Sequence, residues 1–548
     1  MSPTLEANTF YFLFQITTSI MRVAVVGCLH GELDIIYEAI SRMEQEHRYT
    51  IDLLLVCGDF QTIRNANDLR CIAVPDKYKR VGHFPDYYFG RKVASKLTLL
   101  IGGNHEASNY LQTLPYGGWV APNMYYLGLC SVVRVGGLRL GGISGIFKYH
   151  HAKLSHFECL PYNADTMRSV YHMRETEIYK LLQLTEKVRE TERKESSEDD
   201  QKDPAADPTS TSAKKIRRSL GKLDVFLSHD WPINIHQCGN VGYLLRKKPF
   251  FRDEVNDQRL GNPLLQPLVH HLQPRHWFAA HLHVSFNAVV NHDNHNNGDN
   301  GAAAQGGAGG QQQLHRTQFQ ALDKVLPRRQ FLQVFEIPTE DELTGRQVPS
   351  TSSSTSSSSP SMPLLEHDPE WLAILCKTDY LLKIHREQIH EIDIFNAHNS
   401  VTITEEDVKE VVALFNGDLT ISPAAFAPCE PVTAVNVDTD PQRVKNFVNP
   451  QTTALCERLS ILDPNRLFRL ENDGEASRAV EDAGNRAPTS LAPAAAAAVA
   501  NPDAISLSDD DDDCCKEEGD EEQVTKKAKL EEDEQQPPLF VIDTVGSK

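Results

Sequence analysis

Five short clusters in this chain carry side chains that can hold a metal ion: Cys28-x-His30, Gly58-Asp59, Gly103-Asn104-His105-Glu106, His229 and His281-x-His283. In an extended segment residues i and i+2 point the same way, so Cys28 with His30, and His281 with His283, can each present two donors to one place. Glycine at Gly27, Gly58 and Gly103 permits tight turns that bring backbone close to a cation. Imidazole suits zinc, iron and manganese, thiolate suits zinc and iron, and a carboxylate can bridge two cations. Two cations about 3.5–4 Å apart can clamp a phosphoryl group and activate a water between them.

Each cluster follows an apolar run. Arg22–Val26, Ile51–Val56, Lys96–Ile101, Leu223–Leu227 and Trp277–Ala280 are short, bounded by polar or glycine residues, and spaced by helix-length segments. Such runs read as buried strands of an α/β layer. Leu33, Ile36, Ile40 and Met43 recur on one face of a helix between the first two runs. Val132–Val135, Gly136-Gly137 and Leu138–Leu140 read as a hairpin. In open α/β sheets ligands bind beyond the carboxyl ends of strands, so five such loops can converge on one point.

Taken singly, each cluster has an ordinary explanation. Asp59 alone is a turn or helix cap, His229 a satisfied core histidine, and GNHE a glycine-rich turn with Asn in the left-handed region. Those explanations are independent of one another, whereas one metal centre accounts for all five. Another reading makes Cys28 a thiolate nucleophile with His30 as base, but it leaves the other four clusters idle.

The series resembles the calcineurin-like metallophosphoesterases, and within them the RNA lariat debranching enzymes. The residues that carry this are GCLHGELD (27–34), LLVCGDFQTIRN (54–65), PDKY (75–78), IGGNHEASN (101–109), FLSHDWP (226–232), AHLHV (280–284) and DPEWLAIL (368–375). The resemblance implies a layered α/β sandwich with a smaller C-terminal module. It implies two divalent ions: one held by His30, Asp59 and His283 with Cys28 beside it, the other by Asp59, Asn104, His229 and His281. His105 would stand next to the scissile phosphate as general acid or charge stabiliser. The segment Ile143–Arg174, rich in His, Tyr and Lys, matches the family's lariat-recognition loop in position. Tyr149, His150 and His151 there, and Arg64 and Asn65 after the GDF cluster, are candidates for contact with bases or phosphates. The superfamily usually has Asp where this chain has Cys28. A softer ligand favours Fe²⁺ or Zn²⁺ over Mg²⁺, with Mn²⁺ a further option. The implied activity is hydrolysis of the 2′,5′-phosphodiester at the branch point of excised intron lariats. Spacing and composition do not identify 2′,5′ over 3′,5′; the other readings are a phosphomonoesterase or protein phosphatase of the same superfamily, against which the long His/Tyr/Lys loop and the C-terminal module favour a larger substrate, and a non-catalytic RNA-binding scaffold.

The chain has 548 residues and a net charge of −20. From Asp473 onward 20 acidic residues face 7 basic ones, so the acidity belongs mostly to the tail and does not exclude a polyanionic partner. Residues 186–220 read as a charged linker, 291–320 as a low-complexity insert whose His292 and His295 are solvated, and 348–361 as a Ser-rich linker. Residues 321–347 read as a return to the catalytic domain (21–290), 362–472 as the C-terminal module and 473–548 as an acidic disordered tail. The apolar stretch Phe10–Ile16 follows Glu6 and lacks a basic flank, so 1–20 reads as a disordered leader rather than a signal peptide. Eleven cysteines without a paired framework suit a reducing compartment. No apolar run is long enough to span a bilayer. Lys526-Lys527-x-Lys529 fits a nuclear import signal, in keeping with lariat RNA and splicing-associated proteins as partners.

Overall fold

The computed structural model describes residues 20–185, 223–292, 315–339, 362–395, 401–428 and 448–469, and the backbone alone of 188–193, 214–219, 470–472 and 542–543. The leader up to residue 19, most of the insert, the Ser-rich linker, residue His295 and the basic cluster of the tail lie outside the described residues.

The strands are β1 (Ile20–Val26), β2 (Leu53–Val56), β3 (Leu97–Leu100), β4 (Gly118–Ala121), β5 (Met124–Tyr126), β6 (Cys130–Val135), β7 (Leu138–Ile143), β8 (Val188–Arg193), β9 (Lys214–Ser219), β10 (Val225–Ser228), β11 (His276–Ala279), β12 (Phe286–His292), β13 (His315–Ala321), β14 (Leu332–Pro338), β15 (Leu365–His367) and β16 (Ile542–Asp543). Among the described residues fourteen of them form two seven-stranded sheets, ordered β16-β14-β1-β2-β3-β5-β4 and β12-β13-β11-β10-β7-β6-β15, and β8 pairs with β9 alone. In the first, β1, β2 and β3 run parallel; in the second, β7, β10 and β11 do.

Side-chain alternation sets the layers. Val23, Val25, Leu53 and Leu55 of the first sheet share one core with Leu138, Leu140, Val225 and Leu227 of the second. Their neighbours Ala24, Val26, Leu54 and Val56 turn the other way, onto Ile36, Ile40 and Met43 of α1 (Leu33–His47). On the far face of the second sheet, Phe226 and Trp277 pack with Ile178 of α2 (Glu175–Leu182), Leu268 of α3 (Gln266–Leu272) and Trp371 of α4 (Pro369–Lys377). Both sheets are thus covered on both faces, which is why their strands read as unbroken apolar runs. The result is the expected layered α/β sandwich. The β6–β7 hairpin turns on Gly136 and Gly137, with φ of 51° and 86°, as a two-residue primed turn requires.

The C-terminal elements are stitched into this sandwich. β15 pairs antiparallel with β6. Asp368 caps α4 by accepting the Trp371 N–H at 3.1 Å and takes two bonds of 2.9 Å from Arg139 and one of 3.0 Å from Arg134.

Three sequence expectations need correction. The charged stretch 186–220 contains an antiparallel pair, β8 with β9. Residues 315–320, assigned to the insert, belong to β13, which sits between β11 and β12. His292 is not solvated: it is 4% exposed at the end of β12 and its Nε2 meets Thr317 Oγ1 at 2.7 Å.

Candidate metal centre

The parallel strands of both sheets deliver their following loops to the same edge. Cys28 and His30 leave β1, Asp59 leaves β2, Asn104 and His105 leave β3, His229 leaves β10, and His281 and His283 leave β11. Two glycines let the loops interlock. A Cβ on Gly58 would lie 2.3 Å from His229 Nδ1, and one on Gly103 would lie 2.2 Å from Asp59 Oδ1. The first contact joins a loop of one sheet to a loop of the other.

Asp59 is the hub, 1% exposed. Its Oδ1 accepts the His105 backbone N–H at 2.8 Å and lies 3.4 Å from His229 Nε2. Its Oδ2 lies 3.3 Å from His105 Nδ1 and 3.7 Å from His30 Nε2. On one side, donor atoms of Cys28, His30, Asp59 and His283 all fall within 4.8 Å of one another. On the other, His229 Nε2 lies 3.1 Å from Asn104 Oδ1, and the His229 and His281 rings are 4.9 Å apart. His229 Nδ1 donates to Cys57 O at 2.7 Å, which leaves Nε2 as the lone-pair nitrogen facing Asp59 and Asn104.

The chemistry of this donor set fits cations. Burial lowers the pKa of His30 to about 4 and of His281 to about 3, and lowers those of His229 and His283 as well, so the imidazoles are neutral and offer lone pairs. His30 Nε2 and His283 Nε2 approach to 3.4 Å, a pairing that a shared cation satisfies better than a single proton. Burial would raise the Asp59 carboxyl, but His229, His105 and His30 hold it well below the usual carboxylate range. Burial and Asp59 push the Cys28 thiol up, so thiolate ligation depends on a cation's own field. His30, Asp59, His281 and His283 all have positive φ, between 47° and 61°. Left-handed backbone at non-glycine residues costs of order 1–3 kcal/mol each, and here it collects at one site.

Residues 21–285 match the calcineurin-like phosphoesterase family, and residues 314–464 match the lariat debranching enzyme C-terminal domain. The human lariat debranching enzyme is 43% identical over 464 residues, covering 83% of this chain and 71% of that protein. The Drosophila melanogaster enzyme of that name is 39% identical over 482 residues (82% and 80%), and the Arabidopsis thaliana one 36% over 470 (84% and 92%). The chain belongs to the lariat debranching enzymes. As a metallophosphoesterase it uses divalent metal ions, and the Cys28, His30, Asp59 and His283 cluster offers a place for one.

The expected substrate contacts divide. Tyr149, His150 and His151 form a 3₁₀ turn in the loop after β7. Tyr149 is 75% exposed, whereas His151 Nδ1 lies 2.7 Å from His172 Nδ1 and the two rings stack. The Arg64 guanidinium makes two bonds of 2.9 Å to Asp68 and lies 4.5 Å from the centre of the Tyr110 ring, so it braces the loop after β2. Asn65 Oδ1 is likewise occupied locally, accepting the Asn67 N–H at 2.8 Å.

Two buried carboxylates went unassigned in the sequence. Glu106 accepts N–H bonds from Phe60 (2.7 Å), Gln61 (2.8 Å) and Gly103 (3.1 Å), tying the loops after β2 and β3 together. Burial and Asp59 push its pKa up to about 8. Asp230 Oδ1 faces His281 Nε2 at 3.5 Å. Burial pushes its pKa up to about 7, and a cation on His281 would pull it down again. In the sequence Asp230 directly follows the ligand candidate His229, and Glu106 directly follows His105.

Proposed function

We propose that this chain hydrolyses the 2′,5′-phosphodiester bond at the branch point of excised intron lariats, giving linear RNA. The observation that carries the reading is one buried carboxylate, Asp59, standing between two donor sets on a scaffold of the debranching family. His30, Asp59 and His283, with Cys28 beside them, would hold one ion; Asp59, Asn104, His229 and His281 would hold the other. When bound, the ions supply Lewis-acid neutralisation of the phosphoryl oxygens and lower the pKa of a water.

The protein's own groups do the rest. The interlocked glycine turns fix Asp59 and His229 before substrate arrives, so little reorganisation is left for the reaction. Asp59 Oδ2, 3.3 Å from His105 Nδ1, sets the tautomer of that ring and leaves Nε2 to hold or give a proton at the departing ribose oxygen. The exposed ring of Tyr149 is suited to stacking on an unpaired base. The thiol of Cys28 favours Fe²⁺ or Zn²⁺, with Mn²⁺ a further option. A nuclear location and splicing-associated partners follow from the substrate. The phosphomonoesterase and scaffold readings gain no support from the family match.

The test is turnover of synthetic branched RNA by Asp59→Ala and His105→Ala. Both variants should lose most activity; wild-type-like rates in either contradict the assignment.

A further inference from the structure

Asp230 follows the candidate ligand His229 at the end of β10, and the two turn to different neighbours. While His229 meets Asp59, the Asp230 carboxylate is buried and divided between two tasks. Its Oδ2 accepts the backbone N–H of Phe147 at 2.8 Å and the Asn262 Nδ2 amide at 3.2 Å. Its Oδ1 faces His281 Nε2 at 3.5 Å. Phe147 opens the long segment after β7 that leads to Tyr149. A single carboxylate therefore touches both that segment and a ring of the metal centre.

We propose that Asp230 is a positioning residue that aims His281 at its cation and couples that aim to the seating of the loop beginning at Phe147. This rests on His281 being a metal ligand. The reasoning is one of donors and acceptors. A carboxylate can only accept, so the His281 proton sits on Nε2 and the lone pair on Nδ1. Metal-bound histidines are held in this way by a carboxylate or carbonyl on the other nitrogen, and loss of that partner costs about 10–100-fold in metal affinity. The His281 backbone N–H is engaged elsewhere, with Cys28 Sγ at 3.3 Å, so it does not aim the ring. The Oδ1 of the neighbouring Asn262 is turned to Leu264, whose N–H it accepts at 2.9 Å. Coupling is reciprocal: whatever the seated loop adds to cation affinity, the cation adds to the order of the loop.

Two substitutions separate the tasks. In Asp230→Asn the carbonyl oxygen can keep the Phe147 and Asn262 bonds, while the new NH₂ faces His281 Nε2. That favours the tautomer protonated on Nδ1, which cannot ligate. Asp230→Ala removes both functions. The measurement is Mn²⁺ binding to the full chain by anaerobic calorimetry, with hydrogen exchange at the Phe147 amide. Wild type should bind two equivalents. Asp230→Asn should bind one of them about 10–100-fold more weakly with the Phe147 amide still protected, and Asp230→Ala should lose that protection as well. Two equivalents at wild-type affinity in Asp230→Asn overturn the inference. So does loss of both equivalents together with Phe147 protection in that variant, which would make Asp230 a general support of the fold. A wild-type chain that takes up no Mn²⁺ overturns the cation reading itself, and this inference with it.

Discussion

Gly103→Ala isolates the claim that the site works by close interlocking of loops. The φ of Gly103 lies outside the left-handed region, so any effect comes from space alone. The added methyl would sit 2.2 Å from Asp59 Oδ1, 2.5 Å from Asp59 N and 2.8 Å from His229 Cε1. Ordinary contact begins near 3.4 Å. The Asp59 carboxylate must therefore retreat by about 1 Å, and its 2.8 Å bond from the His105 N–H must lengthen or break. A misplacement of about 1 Å at a reacting centre can cost about 10²-fold in rate. Overpacking by one methyl typically costs about 1–3 kcal/mol of stability, which leaves the chain folded. We expect kcat on branched RNA to fall about 100-fold or more, with near-native circular dichroism. Gly102→Ala is the control, because its nearest neighbours are at 3.5–3.7 Å. Turnover close to wild type in Gly103→Ala, or an equal loss in Gly102→Ala, refutes the reasoning.

Other perturbations probe the frame around the site. Asp368→Ala takes two bonds from the Arg139 guanidinium, 3% exposed, which keeps its 2.7 Å bond to Glu370, and removes the cap of α4; thermal and denaturant unfolding should show a loss of about 3–5 kcal/mol. Arg64→Ala should cost about 3 kcal/mol in the same assay while leaving KM for branched RNA unchanged, because the guanidinium is committed to Asp68; a raised KM with native stability would restore it as a phosphate contact. Burial would raise the Glu177 carboxyl, but His156, 3.3 Å away, and neighbouring donors hold it at about 2. A depressed carboxyl contributes stability above its unfolded pKa and loses it as pH falls. Acid unfolding of wild type should therefore show a component between about pH 4.5 and 2 that Glu177→Gln lacks, and matching pH profiles would refute it.

The site was readable in the sequence because each ligand candidate sits within a few residues of a strand end, and a parallel sheet gathers such ends automatically. Gly27, Gly58 and Gly103 marked the turns. The buried runs gave the layers, because strands covered on both faces carry no polar alternation to confuse them. Sequence reading stopped where function depends on partners far along the chain. Glu106 reaches Phe60 and Gln61, and Asp230 reaches Phe147 and Asn262, across separations that local pattern does not encode. Arg64 suits phosphate as a basic residue after GDF, and only the fold shows it also near Tyr110 and bound to Asp68. β13 was lost because its polar alternation, His315-Arg316-Thr317-Gln318, continues the composition of the insert before it.

The most direct measurement reconstitutes the chelated protein anaerobically with Fe²⁺, Zn²⁺ or Mn²⁺. Each form is then offered a synthetic 2′,5′-branched RNA and a linear RNA of the same sequence. We predict that the metal-loaded protein releases linear RNA from the branched substrate, leaves the 3′,5′ strand intact, and is inert when chelated. Equal cleavage of both RNAs, or branched-RNA cleavage that persists without metal, would contradict the account.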